Sequence, residues 1–286
     1  MDYHLTPPRP AAGAPALAGL HREAERLVAD DQALSMVMPQ DRRDCSVQQH
    51  MVAMELIASN LIEGLTAAHS RETAAFAALQ DARETLIAAE SADPNEWIDA
   101  LCRAHGRLAA AGVVDGGPAG GFRREDVAVA HHVAPPAAAV AGLMGDWAAA
   151  YGRTPASTAA AVLDALCAHH RLLFIHPFRD GNGRIARLDL EVRLQAAGLH
   201  CGATWSLSAG LLRAEARYRA ALAQADAPRR GDLDGRGALS EAGLVDYCEA
   251  MLDLIHREIT RRYSRAAKRA RPDQEAPREE APWNCG

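Results

Sequence analysis

His176-Pro177-Phe178-Arg179-Asp180-Gly181-Asn182-Gly183-Arg184-Ile185-Ala186-Arg187 interrupts a helical pattern with residues suited to holding phosphate. On its N-terminal side Val162, Leu163, Leu166, Cys167 and His170 form a stripe at helical spacing within 158–175. On its C-terminal side Ile185, Leu188 and Val192 recur at the same period, and Gly198 supplies a stop. The stretch is therefore a turn between two helices. Pro177 cannot continue the first helix, which leaves His176 at the helix exit with its ring free to face a cleft. Gly181, Asn182 and Gly183 tolerate unusual backbone angles, so successive N–H groups can converge on an anion. The second helix opens there and adds its unpaired N–H groups and the positive end of its dipole. Arg184 and Arg187, three apart, project from one face of its first turn. Two guanidiniums beside such a nest make a polyphosphate cradle. Asp180 supplies the one carboxylate that Mg²⁺ needs when phosphate and water provide its other ligands. His176 has an ordinary pKa near neutrality, which suits a general base. Phe178 is expected to pack inward and anchor the turn.

Each of these residues also has a plainer reading. A lone histidine is more often packed than catalytic, Asp180 could cap a helix, and Arg184 and Arg187 could be solvated. Their convergence in one turn favours the phosphate site. His169 and His170 are expected to pack, since no H-E-x-x-H spacing accompanies them. No strand precedes Gly181-Asn182-Gly183, so it is not a dinucleotide fingerprint, and no Walker A sequence is present. Gly231–Gly237 has Arg236 where a calcium loop needs a ligand and Gly243 where its bidentate glutamate should fall, so it reads as a turn.

Farther out, the pattern stays helical. Val52, Leu56, Ser59 and Glu63 lie on one helical face within 46–69, and a last helix starts at Ser240-Glu241 and runs through Leu244, Cys248, Met251, Leu252 and Ile255. Val127-Ala128-Val129-Ala130-His131-His132-Val133 alternates instead, follows the Gly-rich 116–121 and ends at Pro135-Pro136, as a small β-hairpin would. The expected organisation is a disordered 1–17, an N-terminal helical region 18–110, a catalytic region with the C-terminal helices 111–265, and a disordered tail 266–286. The fold class is mainly α, a helical bundle with one β excursion.

The 286 residues are 49% hydrophobic and 24% charged, ordinary for a globular chain able to bury a full core. A net charge of -6 argues against a non-specific nucleic-acid binder. Cys45, Cys102, Cys167, Cys201, Cys248 and Cys285 show no C-x-x-C pairing and read as reduced, mostly buried thiols. No signal peptide is visible and no apolar run is expected to span a bilayer, which makes the cytoplasm the expected location.

The turn matches H-P-F-x-D/E-G-N-G-R-x-x-R at every fixed position and so resembles the signature of the Fic (Fido) family. The flap-like Val129–Pro136, Trp205-Ser206-Leu207-Ser208 and Tyr218–Asp226 extend the likeness over roughly residues 45–260. The resemblance implies a Fic-type helical bundle with a β-hairpin flap. It also implies a protein adenylyltransferase, which moves AMP from Mg²⁺-bound ATP to a Ser, Thr or Tyr hydroxyl of a target protein or of the chain itself. On that likeness His176 is the base and Asp180 holds Mg²⁺. Gly181, Asn182, Gly183, Arg184 and Arg187 bind the phosphates, and Tyr218 contacts adenine. The flap residues Val129, His131, His132 and Val133 dock the target by strand addition. Ser59-Asn60-Leu61-Ile62-Glu63-Gly64 matches the family's inhibitory motif, with Glu63 expected to pair with Arg187 and deny it to the γ-phosphate. The chain departs from the pattern at Arg219, where a second tyrosine is common, and at Asp226, where asparagine is. Transfer of another phosphate-containing group, removal of AMP, and a non-catalytic nucleotide-sensing module remain open, as does a homodimer. A C-terminal winged helix, which would make a DNA-binding regulator, is not expected, since about twenty disordered-looking residues follow the last helix, and neither nucleic acid nor membrane is an expected partner.

Overall fold

The computed structural model describes residues 10, 13–38, 45–65, 74–89, 94–115, 119–129, 132–152, 157–226 and 241–270. Ten α-helices follow one another among them: α1 (Pro15–Val37), α2 (Cys45–Ile62), α3 (Ala74–Ile87), α4 (Pro94–Ala110), α5 (Val140–Tyr151), α6 (Thr158–Ile175), α7 (Asn182–Ala196), α8 (Leu207–Arg213), α9 (Glu215–Ala225) and α10 (Glu241–Ala270). The β excursion lies between α4 and α5 as β1 (Ala128–Val129) and β2 (His132–Val133), antiparallel, with Ala128 opposite Val133 and Val129 opposite His132. His131 lies outside the described residues, as do Ser240 and Gly231–Gly237.

Helix α6 is the axis of the bundle and touches α1, α5, α7 and α10. Val162, Leu166, Cys167 and Leu172 are buried on successive turns, and so are His169 and His170. Contrary to the expectation that no run could span a bilayer, α6 is long and apolar enough to do so, with a mean hydropathy of 1.3 over 18 residues. Its burial accounts for that composition: 72% of it lies inside the structure, so its apolar surface meets other helices. Ser157 caps its N-terminus by accepting from the Ala160 N–H at 3.2 Å.

Two ends differ from expectation. Pro15 opens α1, where a rigid φ and a missing N–H cost nothing, so order begins before residue 17. Helix α10 continues to Ala270, past the tail boundary at 266, because its charged C-terminal half is also rich in good helix formers. Cys167, Cys201 and Cys248 are buried free thiols.

Helix α2 is fixed by a buried carboxylate. Glu55 accepts hydrogen bonds from Ser206 Oγ (2.6 Å) and from the Ser208 N–H (2.8 Å), at the start of α8. That anchorage sets the height at which the end of α2 meets the turn before α7.

Candidate active site

His176 closes α6 in the left-handed conformation, φ 52° and ψ 60°, and is the one non-glycine residue with positive φ among the described residues. Pro177 stops the helix and the reversal swings the imidazole out of the bundle. The ring's Nδ1 sits 3.3 Å from Leu173 O, a partner that can only accept, so Nδ1 carries the proton and Nε2 keeps its lone pair. Burial lowers the imidazole pKa to about 4, so the ring is neutral at pH 7 and its Nε2 can take a proton.

The turn is held by its own side chains. Phe178 is fully buried and stacks on His105, centroids 4.0 Å apart and planes within 4°. His105 Nδ1 accepts from the Gly120 N–H at 3.3 Å, which leaves Nε2–H to donate to Asp180 O at 3.1 Å. Asn182 folds back, accepting from the Phe178 N–H at 2.9 Å and donating to Phe178 O at 2.7 Å. Gly181 is left-handed at φ 81°, and a Cβ there would lie 2.6 Å from Val114 Cγ1. Asp180 accepts from the Asp115 N–H (2.9 Å) and the Gly181 N–H (2.6 Å), which fixes the carboxylate with no ion pair among the described residues. Glycine is required here and the carboxylate is preset.

Helix α7 begins at Asn182 and turns both arginines inward. Arg187 is nearly buried, donating Nε to Ser59 Oγ (2.9 Å) and Nη2 to Ser59 O (2.9 Å) and to Glu63 Oε1 (2.7 Å). Burial alone would raise the Glu63 pKa, but Arg187 outweighs it and the carboxylate is held below its usual range. Glu63 follows the end of α2, and its carboxylate lies against Gly183 so closely that a Cβ on Gly183 would collide with Oε1. It thus occupies the anion position at the N-terminus of α7. Arg184 donates to Val113 O at 3.3 Å, and its buried Nε has no partner among the described residues.

A cavity of about 650 Å³ opens beside these groups. His176, Gly183, Arg187, Glu63, Tyr218, Val129 and His132 line it, whereas Ser59, Asp180, Asn182, Arg184 and Val133 do not. Tyr218 is among the lining residues, its hydroxyl lies 3.0 Å from His169 Nε2, and burial pushes its pKa to about 12. Asp226, also on the cavity wall, meets His132 Nδ1 at 3.3 Å and His170 Nε2 at 3.1 Å, tying the flap to α6. Val133 is 75% exposed on the outer edge of the flap.

Sequence reasoning missed His105 and Arg123. Neither belongs to a motif, and each acts through backbone carbonyls that only the folded chain brings near. Asp226 was visible as a departure from a pattern; its two histidine partners were not.

A single, partly buried carboxylate, an orphaned guanidinium nitrogen and a glycine-floored helix N-terminus fit a magnesium-bound polyphosphate, since Mg²⁺ takes most of its ligands from phosphate and water.

Residues 95–194 match the family model described as Fic/DOC family. A "Protein adenylyltransferase Fic" of Drosophila yakuba is 41% identical over 87 residues, covering 30% of this chain and 18% of that protein's length. By structure the chain is similar to a Fic family protein from Desulfovibrio desulfuricans G20, with TM-score 0.65 and 22% identity over 93% of this chain and 79% of that one. It is also similar to residues 134–508 of Fic-1 from C. elegans, with TM-score 0.60 and 18% identity over 90% and 76% of the two chains. At these identities the structural likeness speaks for the fold, the helical bundle with its small hairpin.

Proposed function

We propose that this chain, a Fic-domain protein, is a nucleotidyltransferase that moves AMP from ATP to a hydroxyl of a target protein and is held off by Glu63. One observation carries the reading: a neutral imidazole, its Nε2 without a hydrogen-bond partner among the described residues, shares a cavity with a helix N-terminus whose anion position is filled by a side chain from the turn after α2.

In the proposed step the target hydroxyl oxygen attacks the α-phosphorus as its proton passes to His176 Nε2. The bond from that phosphorus to the bridging oxygen breaks, and pyrophosphate leaves. Asp180 would hold Mg²⁺, which would supply positive charge to offset that of the phosphates. The N–H groups at the start of α7 and Arg184 meet the phosphate oxygens from the other side, and Arg187 meets the outermost phosphate once Glu63 has moved. The rate gain is positioning plus electrostatic stabilisation, because these donors are preset by the turn. The exposed edge of the flap would receive the target as an added strand, which fixes a hydroxyl near His176 without reading much sequence.

Glu63→Gly tests both halves of the reading. With ATP and Mg²⁺ the variant is expected to incorporate label from α-phosphate, and none from γ-phosphate, at roughly 10-fold or more above wild type. Adding His176→Ala should abolish incorporation. Label from the γ-position would point to phosphate transfer instead, and no rise over wild type in a folded variant would end the autoinhibition reading. Incubating the wild type with an AMP-modified target checks for removal of the group.

A further inference from the structure

Arg123 lies between α4 and the flap, 3% exposed, with no carboxylate within ion-pair distance among the described residues. Its Nε donates to His176 O at 2.7 Å and its Nη2 to Ile175 O at 3.3 Å and, in a short contact, to Pro135 O. Its Nη1 donates to Glu125 O at 2.9 Å, and its own backbone N–H to Pro177 O at 2.8 Å. Three consecutive carbonyls, 175 to 177, are thus received by one residue.

A buried cation without a carboxylate is costly, and here the guanidinium's partners are the carbonyls left over where α6 ends and the base of the flap. Those carbonyls form the negative end of the α6 dipole, which makes the site tolerable for a cation. The strained point they enclose is His176, whose left-handed φ turns its ring into the cavity. Among the described residues the ring's own hydrogen bond is from Nδ1 to Leu173 O, at the long distance of 3.3 Å, with the His132 ring 6.4 Å away.

We propose that Arg123 is a positioning residue: it holds the His176 backbone in the conformation that points Nε2 into the cavity, and through Pro135 and Glu125 it ties that ring to the flap. The proposal rests on the reading of His176 as the base. In the folded chain Arg123 also adds, after burial and His132, to the lowering of the imidazole pKa.

The test uses the full chain in the Glu63→Gly background. Arg123→Gln is expected to lower kcat about 100-fold, the cost of a displaced reacting group, with the MgATP Kd changed by less than about twofold. The ¹⁵N–¹H imidazole spectrum of His176, assigned by its loss in His176→Ala, should pass from one Nδ1–H tautomer to a mixture. Arg123→Lys keeps the charge and can reach some of the carbonyls, and should recover roughly 10-fold of the lost kcat. A merely structural role would lower kcat and the nucleotide-binding fraction together and leave the imidazole spectrum of folded molecules unchanged. Transfer within about threefold of the parent, or an unaltered His176 spectrum in Arg123→Gln, overturns the proposal. Should that variant fail to fold, Arg123→Lys decides by the same two readouts. Normal transfer by His176→Ala would instead overturn the reaction, whereas an inactive His176→Ala beside a fully active Arg123→Gln overturns the positioning role alone.

Discussion

Helix α7 carries buried charge on two faces, and the faces are built differently. Toward α3 and α4 the networks are closed. Glu191 accepts from Arg83 Nε (3.0 and 3.2 Å) and from Gln195 (2.9 Å). Asp189 accepts from Trp97 Nε1 (2.7 Å) and from Arg193 (2.9 Å), whose guanidinium lies over the rings of Trp97 and Trp147. Toward the cavity Arg187 is just as buried, yet its one acidic partner among the described residues, Glu63, is 28% exposed and stands on a turn beyond the end of α2. On the proposed reading the contrast is one of scaffold against switch. A carboxylate enclosed by donors cannot leave without unfolding its surroundings, whereas one at a cavity edge can be replaced by another anion.

The largest effect should come from breaking the closed face. Glu191→Ala leaves Arg83 largely buried without its counter-charge and should cost about 3–5 kcal/mol of unfolding free energy, read by urea denaturation. A loss below about 1 kcal/mol would mean that water already reaches this face, and the contrast would collapse.

A smaller effect, on the same side, depends on pH. Burial first, then the charge of Glu191, pushes the Glu55 carboxyl from 4.5 up to about 7, against the donors Ser206 and Ser208. The native chain therefore holds this proton more tightly than the unfolded chain. The stability it contributes is complete below pH 4.5 and is lost as pH rises through 7, about 3 kcal/mol in all. Glu55→Gln keeps the shape and removes the titration, so its stability relative to wild type should rise by that amount between pH 4.5 and 7.5. His169 and His176, whose pKa values burial lowers to about 3 and about 4, change wild-type stability in the opposite sense but cancel in the difference. A flat difference would show Glu55 to be ionised throughout.

How much of this was legible beforehand follows from range. The turn could be read because proline, glycine and helix periodicity act within a few residues: Pro177 ends α6, Gly181 takes the left-handed angle and Asn182 opens α7. Phe178 could be assigned to the core, though not to the face of His105, which lies more than seventy residues earlier. The helical stripe placed Ser59 and Glu63 on one face, and a face is what Arg187 meets. The closed networks were invisible because Glu55, Arg83 and Glu191 look like ordinary surface charge until three helices meet. The reach of α10 is hidden because charge and nearby proline mark a tail from 266, whereas the helix propensity of the same residues carries the helix to Ala270.

The smallest expected change in stability is also the one that sharpens the comparison most. Glu63→Gly removes a carboxylate that solvent already reaches but leaves the buried Arg187 to the Ser59 hydroxyl and carbonyl, so the cost should be about 2 kcal/mol, below that of Glu191→Ala. What changes is the vacancy left beside Gly183 at the start of α7, which favours an anion. MgATP should then stabilise the variant more than the wild type, by about 1.4 kcal/mol for each tenfold gain in affinity, read as a shift of the denaturation midpoint. Glu191→Ala serves as the control, since its carboxylate does not face the cavity and its loss should leave the MgATP shift of the folded protein at the wild-type value. Equal shifts in Glu63→Gly and wild type would place Glu63 with Glu191, as scaffold, and would leave the cavity face of α7 without a switch.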